Sequence, residues 1–189
     1  NKRHGVMMSV SYLTSDISDL SLGEVKTQSR KNINAIVKYG YRNGWVDALD
    51  LTLMYSPYEV DDFITDAKDS DFHLEGGAVG AVVSLTQHFD FATWRSNLNF
   101  SMSDSSREGP AHFYNWLQAK GKDWGQYADQ GDAQTRYSRQ GGYGALDNTQ
   151  YTTSWKNTLN FNSFELAGTE HNIKAGIELI RQEVERERI

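Results

Sequence analysis

The sequence predicts an all-β chain: about seven consecutive up-and-down antiparallel strands that form a portion of a transmembrane β-barrel. Three observations predict it. Apolar and polar residues alternate with period 2 in seven segments, the connections between segments alternate short and long, and aromatic residues gather at the segment ends. In a strand successive side chains face opposite sides of the sheet, a pattern no helix sustains.

The segments follow in chain order. Residues 6–13 put Val6, Met8, Val10 and Tyr12 on one face, and residues 33–41 do the same with Ile33, Ala35, Val37, Tyr39 and Tyr41. Residues 45–56 alternate Leu49, Leu51, Leu53 and Tyr55 with Ala48, Asp50, Thr52 and Ser56. Residues 73–87 present Val79, Ala81, Val83 and Leu85, and residues 91–103 oppose Trp94, Leu98, Phe100 and Met102 to Thr93, Arg95, Asn97, Asn99 and Ser101. Residues 151–164 set Trp155, Leu159 and Phe161 against Ser154, Lys156, Thr158, Asn160 and Asn162, and residues 172–180 set Ile173, Ala175, Ile177 and Leu179 against Lys174, Gly176 and Glu178.

Three connections are short. Arg42-Asn43-Gly44 reads as a tight turn in which the Asn-Gly pair takes positive φ, His88-Phe89-Asp90 as a second, and residues 167–170 as a Gly-containing hairpin. Residues 14–32, 57–72 and 104–150 read as long loops on the opposite side. Short turns at one end and long loops at the other are the habit of outer-membrane barrels, whose short side faces the periplasm. Tyr41, Trp45, Phe91 and Trp94 beside the short turns, with Tyr12, Tyr55, Tyr58, Tyr151 and Trp155 beside the long loops, are expected to form two interfacial girdles.

Composition agrees. A mean hydropathy of -0.64 and the absence of any apolar run near 20 residues exclude a helical membrane span, yet not a barrel, whose strands need only about 9–11 residues. No cysteine is present, which excludes disulfides, thiolate metal sites and a thiol nucleophile, and a net charge of -6 argues against nucleic-acid binding. Seven strands cannot close without unpaired edges in hydrocarbon, so residues 1–189 are expected to be a partial barrel domain, with further strands on both sides.

The segment Ser154-Trp155-Lys156-Asn157 through Phe161, followed by Glu170-His171-Asn172-Ile173-Lys174-Ala175-Gly176-Ile177-Glu178, resembles a hairpin of the TonB-dependent receptors. His112-Phe113-Tyr114-Asn115-Trp116, Asp123-Trp124-Gly125 and Gly141-Gly142-Tyr143-Gly144 in the long loop add to the resemblance. It implies a barrel of about 22 strands occluded by a plug. It also implies uptake of a scarce ligand of the siderophore, cobalamin or sugar class with energy from TonB, in the outer membrane of a Gram-negative bacterium. The partners implied are membrane lipid, TonB through the plug, and an imported small ligand such as a metal chelate. Neither plug nor TonB box is found in these residues. A passive porin or other large barrel is the alternative, and a barrel enzyme a second one.

Recognition is expected in the 104–150 loop, because long loops on a rigid scaffold carry binding. Tyr114, Trp116, Trp124 and Tyr137 with Arg136 and Arg139 are the candidate ligand-binding residues, since aromatic faces beside cations suit planar anionic ligands. The competing account is that these aromatics pack the loop on itself. Glu59, Asp61, Asp62, Asp66, Asp69 and Asp71 against Lys68 offer oxygen ligands for a divalent metal, or a solvated acidic surface. Lumen-facing Arg95, Lys156, Lys174 and Glu178 could meet a passing ligand, or supply the polar interior every such barrel has. No catalytic constellation is found and no cofactor is expected: Glu108 and His112 are separated by the helix-breaking Gly109-Pro110, and Gly141-Gly142-Tyr143-Gly144 precedes no helix.

Overall fold

All seven expected segments are strands of one antiparallel sheet. The computed structural model describes residues 3–44, 46–116, 126–127 and 136–188. In chain order the strands are β1 (Arg3–Ser21), β2 (Glu24–Arg42), β3 (Ala48–Phe63), β4 (Ala67–Lys68), β5 (Asp71–His88), β6 (Ala92–Glu108), β7 (Phe113–Trp116), β8 (Gln126–Tyr127), β9 (Arg136–Gly141), β10 (Leu146–Phe161), β11 (Phe164–Leu166), β12 (Thr169–His171) and β13 (Lys174–Arg188). The main sheet is open, in the order β1-β2-β3-β5-β6-β10-β13, and each neighbour in it is antiparallel.

Register aligns the alternating residues across the whole sheet. One row perpendicular to the strands reads Val6, Tyr39, Leu51, Val83, Leu98, Trp155 and Leu179. One residue along each strand, on the other face, the row reads Gly5, Gly40, Asp50, Ser84, Asn97, Lys156 and Glu178. A slip of one residue at any pair would mix these faces, so the hydrophobic pattern fixes the register. No second layer covers the apolar face: Val6 is 74% exposed, Leu179 53% and Leu98 47%, and among the described residues the only buried apolar side chains are Ala67 and Ala92. A soluble sandwich would bury these rows between its sheets. Among the described residues that arrangement is absent.

Several expectations need correction. Residues 14–32 are not a long loop, because β1 and β2 pair without interruption up to Ser21↔Glu24 around the two-residue turn Leu22-Gly23. Residues 57–72 are mostly strand as well, with β3 running to Phe63 and β5 starting at Asp71, and β6 and β10 extend into the 104–150 segment to Glu108 and from Leu146. Alternation fades in these stretches because side chains beyond the apolar band need not be apolar, while the backbone ladder continues regardless.

The expected positive-φ turn at Asn43-Gly44 is not present, as neither residue has positive φ; Asn43 instead caps the connection, its Oδ1 accepting from the Val46 N–H at 2.7 Å. Paired positive φ occurs at Leu22-Gly23 (53° and 86°) and Ala167-Gly168 (55° and 78°), the signature of two-residue hairpin turns. The second of these is the expected Gly-containing hairpin. Tyr58 and Trp155 leave the outer girdle: Tyr58 pairs with Gly76 on the polar face, and Trp155 sits mid-band in the row of Leu51 and Leu98. Trp45 lies outside the described residues.

Candidate functional site

The three outer connections meet at the top of the sheet and hydrogen-bond to one another. Asp66 Oδ1 accepts from the Leu22 N–H at 3.3 Å, and the Asp66 N–H donates to Ser21 Oγ at 3.0 Å. Ala67 and Lys68 of β4 pair in parallel with Arg139 and Gln140 of β9, and Gln140 Nε2 donates to Asp69 Oδ2 at 2.8 Å. Ser70, fully buried, ties the 64–70 turn by donating to the Ile64 and Ala67 carbonyls at 3.0 and 2.9 Å and accepting from the Ile64 N–H at 3.2 Å. Ser21, Ala67 and Ser138 are buried in the same knot. Chain segments far apart in sequence thus make a single rim.

Arg107 anchors the stem of the long connection. Its place in the β5-β6 and β6-β10 registers puts it on the polar face, where it donates to the carbonyls of Tyr143 and Gly144 at 3.0 and 3.1 Å. Its guanidinium also lies 5.8 Å from the Tyr143 ring, which stacks on Phe113 at 5.3 Å. The 141–144 stretch is therefore held over the polar side, by Gly142 N–H donating to the His112 carbonyl and Gly144 N–H to that of Pro110.

The candidate loop residues separate. Tyr114 is half exposed and stacks on His112, whereas Arg139 pairs opposite Asn115, the next residue along β7, so Tyr114 and Arg139 face opposite sides of the small sheet. Trp124 lies outside the described residues, and so do the side chains of Trp116, Arg136 and Tyr137. Of the polar-face charges, Lys156 and Glu178 pair at 3.0 Å, and Arg42 grips Asp50 through two nitrogens at 3.1 and 3.2 Å. Ser70 and Arg107 are not singled out by sequence, and Tyr58 is expected there only in the outer girdle. Arg107 alone left a signal, continuing the polar alternation of β6 past its expected end.

The acidic candidates also divide. Glu59 and Asp61 come together with His73, their ligand atoms within 4.8 Å, while Asp66, Asp69 and Asp71 serve the rim or Lys26. Both carboxylates already have partners: His73 Nδ1 lies 2.7 Å from Asp61 Oδ1 and Lys31 Nζ 3.4 Å from Glu59. The Asp61 hydrogen bond raises the His73 pKa above its ordinary value, and His73 lowers that of Asp61. Glu59, Asp61 and His73 thus form one cluster of hydrogen-bonded and ion-paired groups.

No family model matches the chain, and no curated protein matches it. Among solved structures it is similar to the outer membrane transporter YddB from Escherichia coli, with a TM-score of 0.73 at 18% identity, over 98% of this chain and 24% of the transporter. The chain is a portion of a transmembrane β-barrel. The barrel segment thus spans less than a quarter of the transporter it matches, and the likeness is one of fold.

Strand tilt is written into its register. The row Val10, Ala35, Tyr55, Val79, Met102 and Tyr151 ends in Glu183, while Trp94, Leu159 and Ala175 stand level with Gln87. The apolar band therefore slides by about one residue per strand step, and at roughly 3.3 Å per residue and 4.8 Å between strands this is a tilt near 35°. Membrane barrels tilt their strands by that amount.

Proposed function

We propose that this barrel segment belongs to a TonB-dependent transporter of the outer membrane, which recognises a small ligand of the siderophore, cobalamin or sugar class at its outer rim and takes it up. One observation carries the reading. A single lipid-facing apolar surface backs a polar face on which Lys156 pairs with Glu178, Arg42 with Asp50 and Arg107 with backbone carbonyls, and three outer connections are tied into a rim above it. The similarity to an outer membrane transporter supports it. TonB acting through a plug, membrane lipid and the imported ligand are the partners this reading requires. Rim side chains, with Tyr114, Trp116, Trp124, Arg136, Tyr137 and Arg139 among the candidates, are proposed to supply specificity.

The test uses the full-length protein in cells with and without TonB, offered candidate ligands as sole iron, cobalamin or carbon source. Uptake that requires both protein and TonB is expected. Passive entry of small solutes that is indifferent to TonB would replace this reading with a porin.

A further inference from the structure

At the end of the sheet away from the rim, the hairpin of β11 and β12 extends past the main ladder. The Phe161 N–H still donates to the Ile173 carbonyl at 2.9 Å, which continues the β10-β13 register, but the next pair is Phe164↔His171. Asn162 and Ser163 thus stand against Asn172 alone. Such a β-bulge bends its strand and re-aims the side chains that follow. Asn162 ties it to the neighbouring turn: its N–H donates to the Phe91 carbonyl at 2.9 Å and its Nδ2 to the Asp90 carbonyl at 2.8 Å.

The extra residue decides which side chains turn outward. Uninterrupted alternation from Phe161 would send Phe164 and Leu166 to the polar face. With one residue absorbed in the bulge they share a face with His171 and Thr169, which alternate from outward Ile173 along the strand without an insertion. Phe164 stacks on His171 with ring centroids 5.6 Å apart, while Glu165 and Glu170 stand opposite each other on the other face. Phe164, Leu166 and Ile173 are exposed, Leu166 to 62%. They continue a row of rings in which Phe161 lies 6.3 Å from Phe91, and Phe91 5.8 Å from Phe89.

Depth places this face among lipid headgroups. Phe161 and Phe91 mark the lower edge of the apolar band. On the strand without an insertion His171 is two residues beyond Ile173 and Thr169 four, so Phe164 and Leu166 lie about 5 and 11 Å below Phe161 at roughly 3.3 Å per residue and a tilt near 35°. Headgroups fill roughly the first 5–8 Å of that distance. Amphipathic elements at this boundary bury their apolar side and leave their charges in water. Glu165 and Glu170 fit that division, because like charges directly opposite repel least where water screens them. Further strands of a barrel would add at the β1 and β13 edges, and whatever fills its interior meets the polar face, so neither covers this outward surface.

We infer that the 164–171 hairpin is an interfacial anchor: Phe164, Leu166 and Ile173, with His171, insert among the lipid headgroups of the leaflet away from the rim, and Glu165 and Glu170 face water. The inference goes beyond the transport reading. It needs the apolar rows to face lipid and is independent of ligand and of TonB.

The test uses the full-length protein in phospholipid vesicles, with an environment-sensitive fluorophore on Leu166→Cys or, on the opposite face, on Glu165→Cys. Residues 1–189 contain no cysteine, and any cysteine elsewhere in the full-length protein is replaced by serine. Emission from position 166 should be lost to lipid carrying a nitroxide near its headgroup and spared by iodide present on both sides of the membrane, and position 165 should show the reverse. Heat-modifiable migration of both variants confirms that they fold. Equal quenching of the two positions by iodide overturns the inference. Protection of position 166 from both quenchers would place it against protein and overturns the inference as well. Absence of TonB-dependent uptake together with the expected quenching would remove the transport reading and leave the anchor standing.

Discussion

Leu51 and Leu98 lie in the same row of the same face: Leu51 pairs with Val83 across β3-β5, and Val83 pairs with Leu98 across β5-β6. Thr52, the next residue after Leu51, pairs with Val82 on the opposite face. Arginine at Leu51 or Leu98 is expected to cost about 2–4 kcal/mol of unfolding free energy in lipid vesicles, and arginine at Thr52 far less. Equal costs on the two faces would remove the membrane assignment.

Gly76 and Gly80 provide a graded test of the polar face. A Cβ on Gly76 would stand 2.3 Å from the Asp104 carbonyl oxygen, so backbone must move, whereas on Gly80 the nearest atom is the flexible Met54 terminus at 3.0 Å. Gly76→Ala should lower stability by about 1–3 kcal/mol and Gly80→Ala by less than about 1 kcal/mol, read from denaturant unfolding of the full-length protein. The reverse order would contradict this packing.

Above the apolar band, His73 and Asp61 shift each other in opposite directions. Because the folded His73 pKa is raised, its contribution to stability is complete below its unfolded value of about 6.5 and is lost as pH rises through the folded value. Asp61 is lowered, so its contribution is present above about 3.8 and disappears as pH falls through the folded value. The pair is strongest between these limits. Imidazole resonances followed by NMR should titrate above 6.5 in the parent protein and return toward it in Asp61→Asn.

The rim depends on one hydroxyl. Ser70→Ala removes the acceptor for the half-buried Ile64 N–H, which should cost about 1 kcal/mol locally. Hydrogen exchange is expected to accelerate at residues 64–70 and at β9, to which β4 is paired, and to stay unchanged at Leu51 or Leu98. Unchanged exchange at β9 would show that the connections are not one unit.

Sequence alone determined that the chain is built of strands, which residues of each strand share a face, and that one face suits hydrocarbon. Those facts are local: the period of alternation is set by backbone geometry and survives without knowledge of any partner. Val6, Tyr39, Leu51, Val83, Leu98, Trp155 and Leu179 are each placed on the apolar face by alternation alone, although the level of Trp155, mid-band rather than in the outer girdle, came from the register. Tertiary structure decided what depends on distant partners. β1 and β2 continue beyond Tyr12 and Ile33 because a paired backbone needs no apolar side chain, and Tyr58 turns inward because the register gives it Gly76 as a neighbour. Asp66, Arg107 and Gln140 found their roles only when connections remote in sequence met at the rim, since hydrogen bonds of that kind leave no periodic trace in the chain.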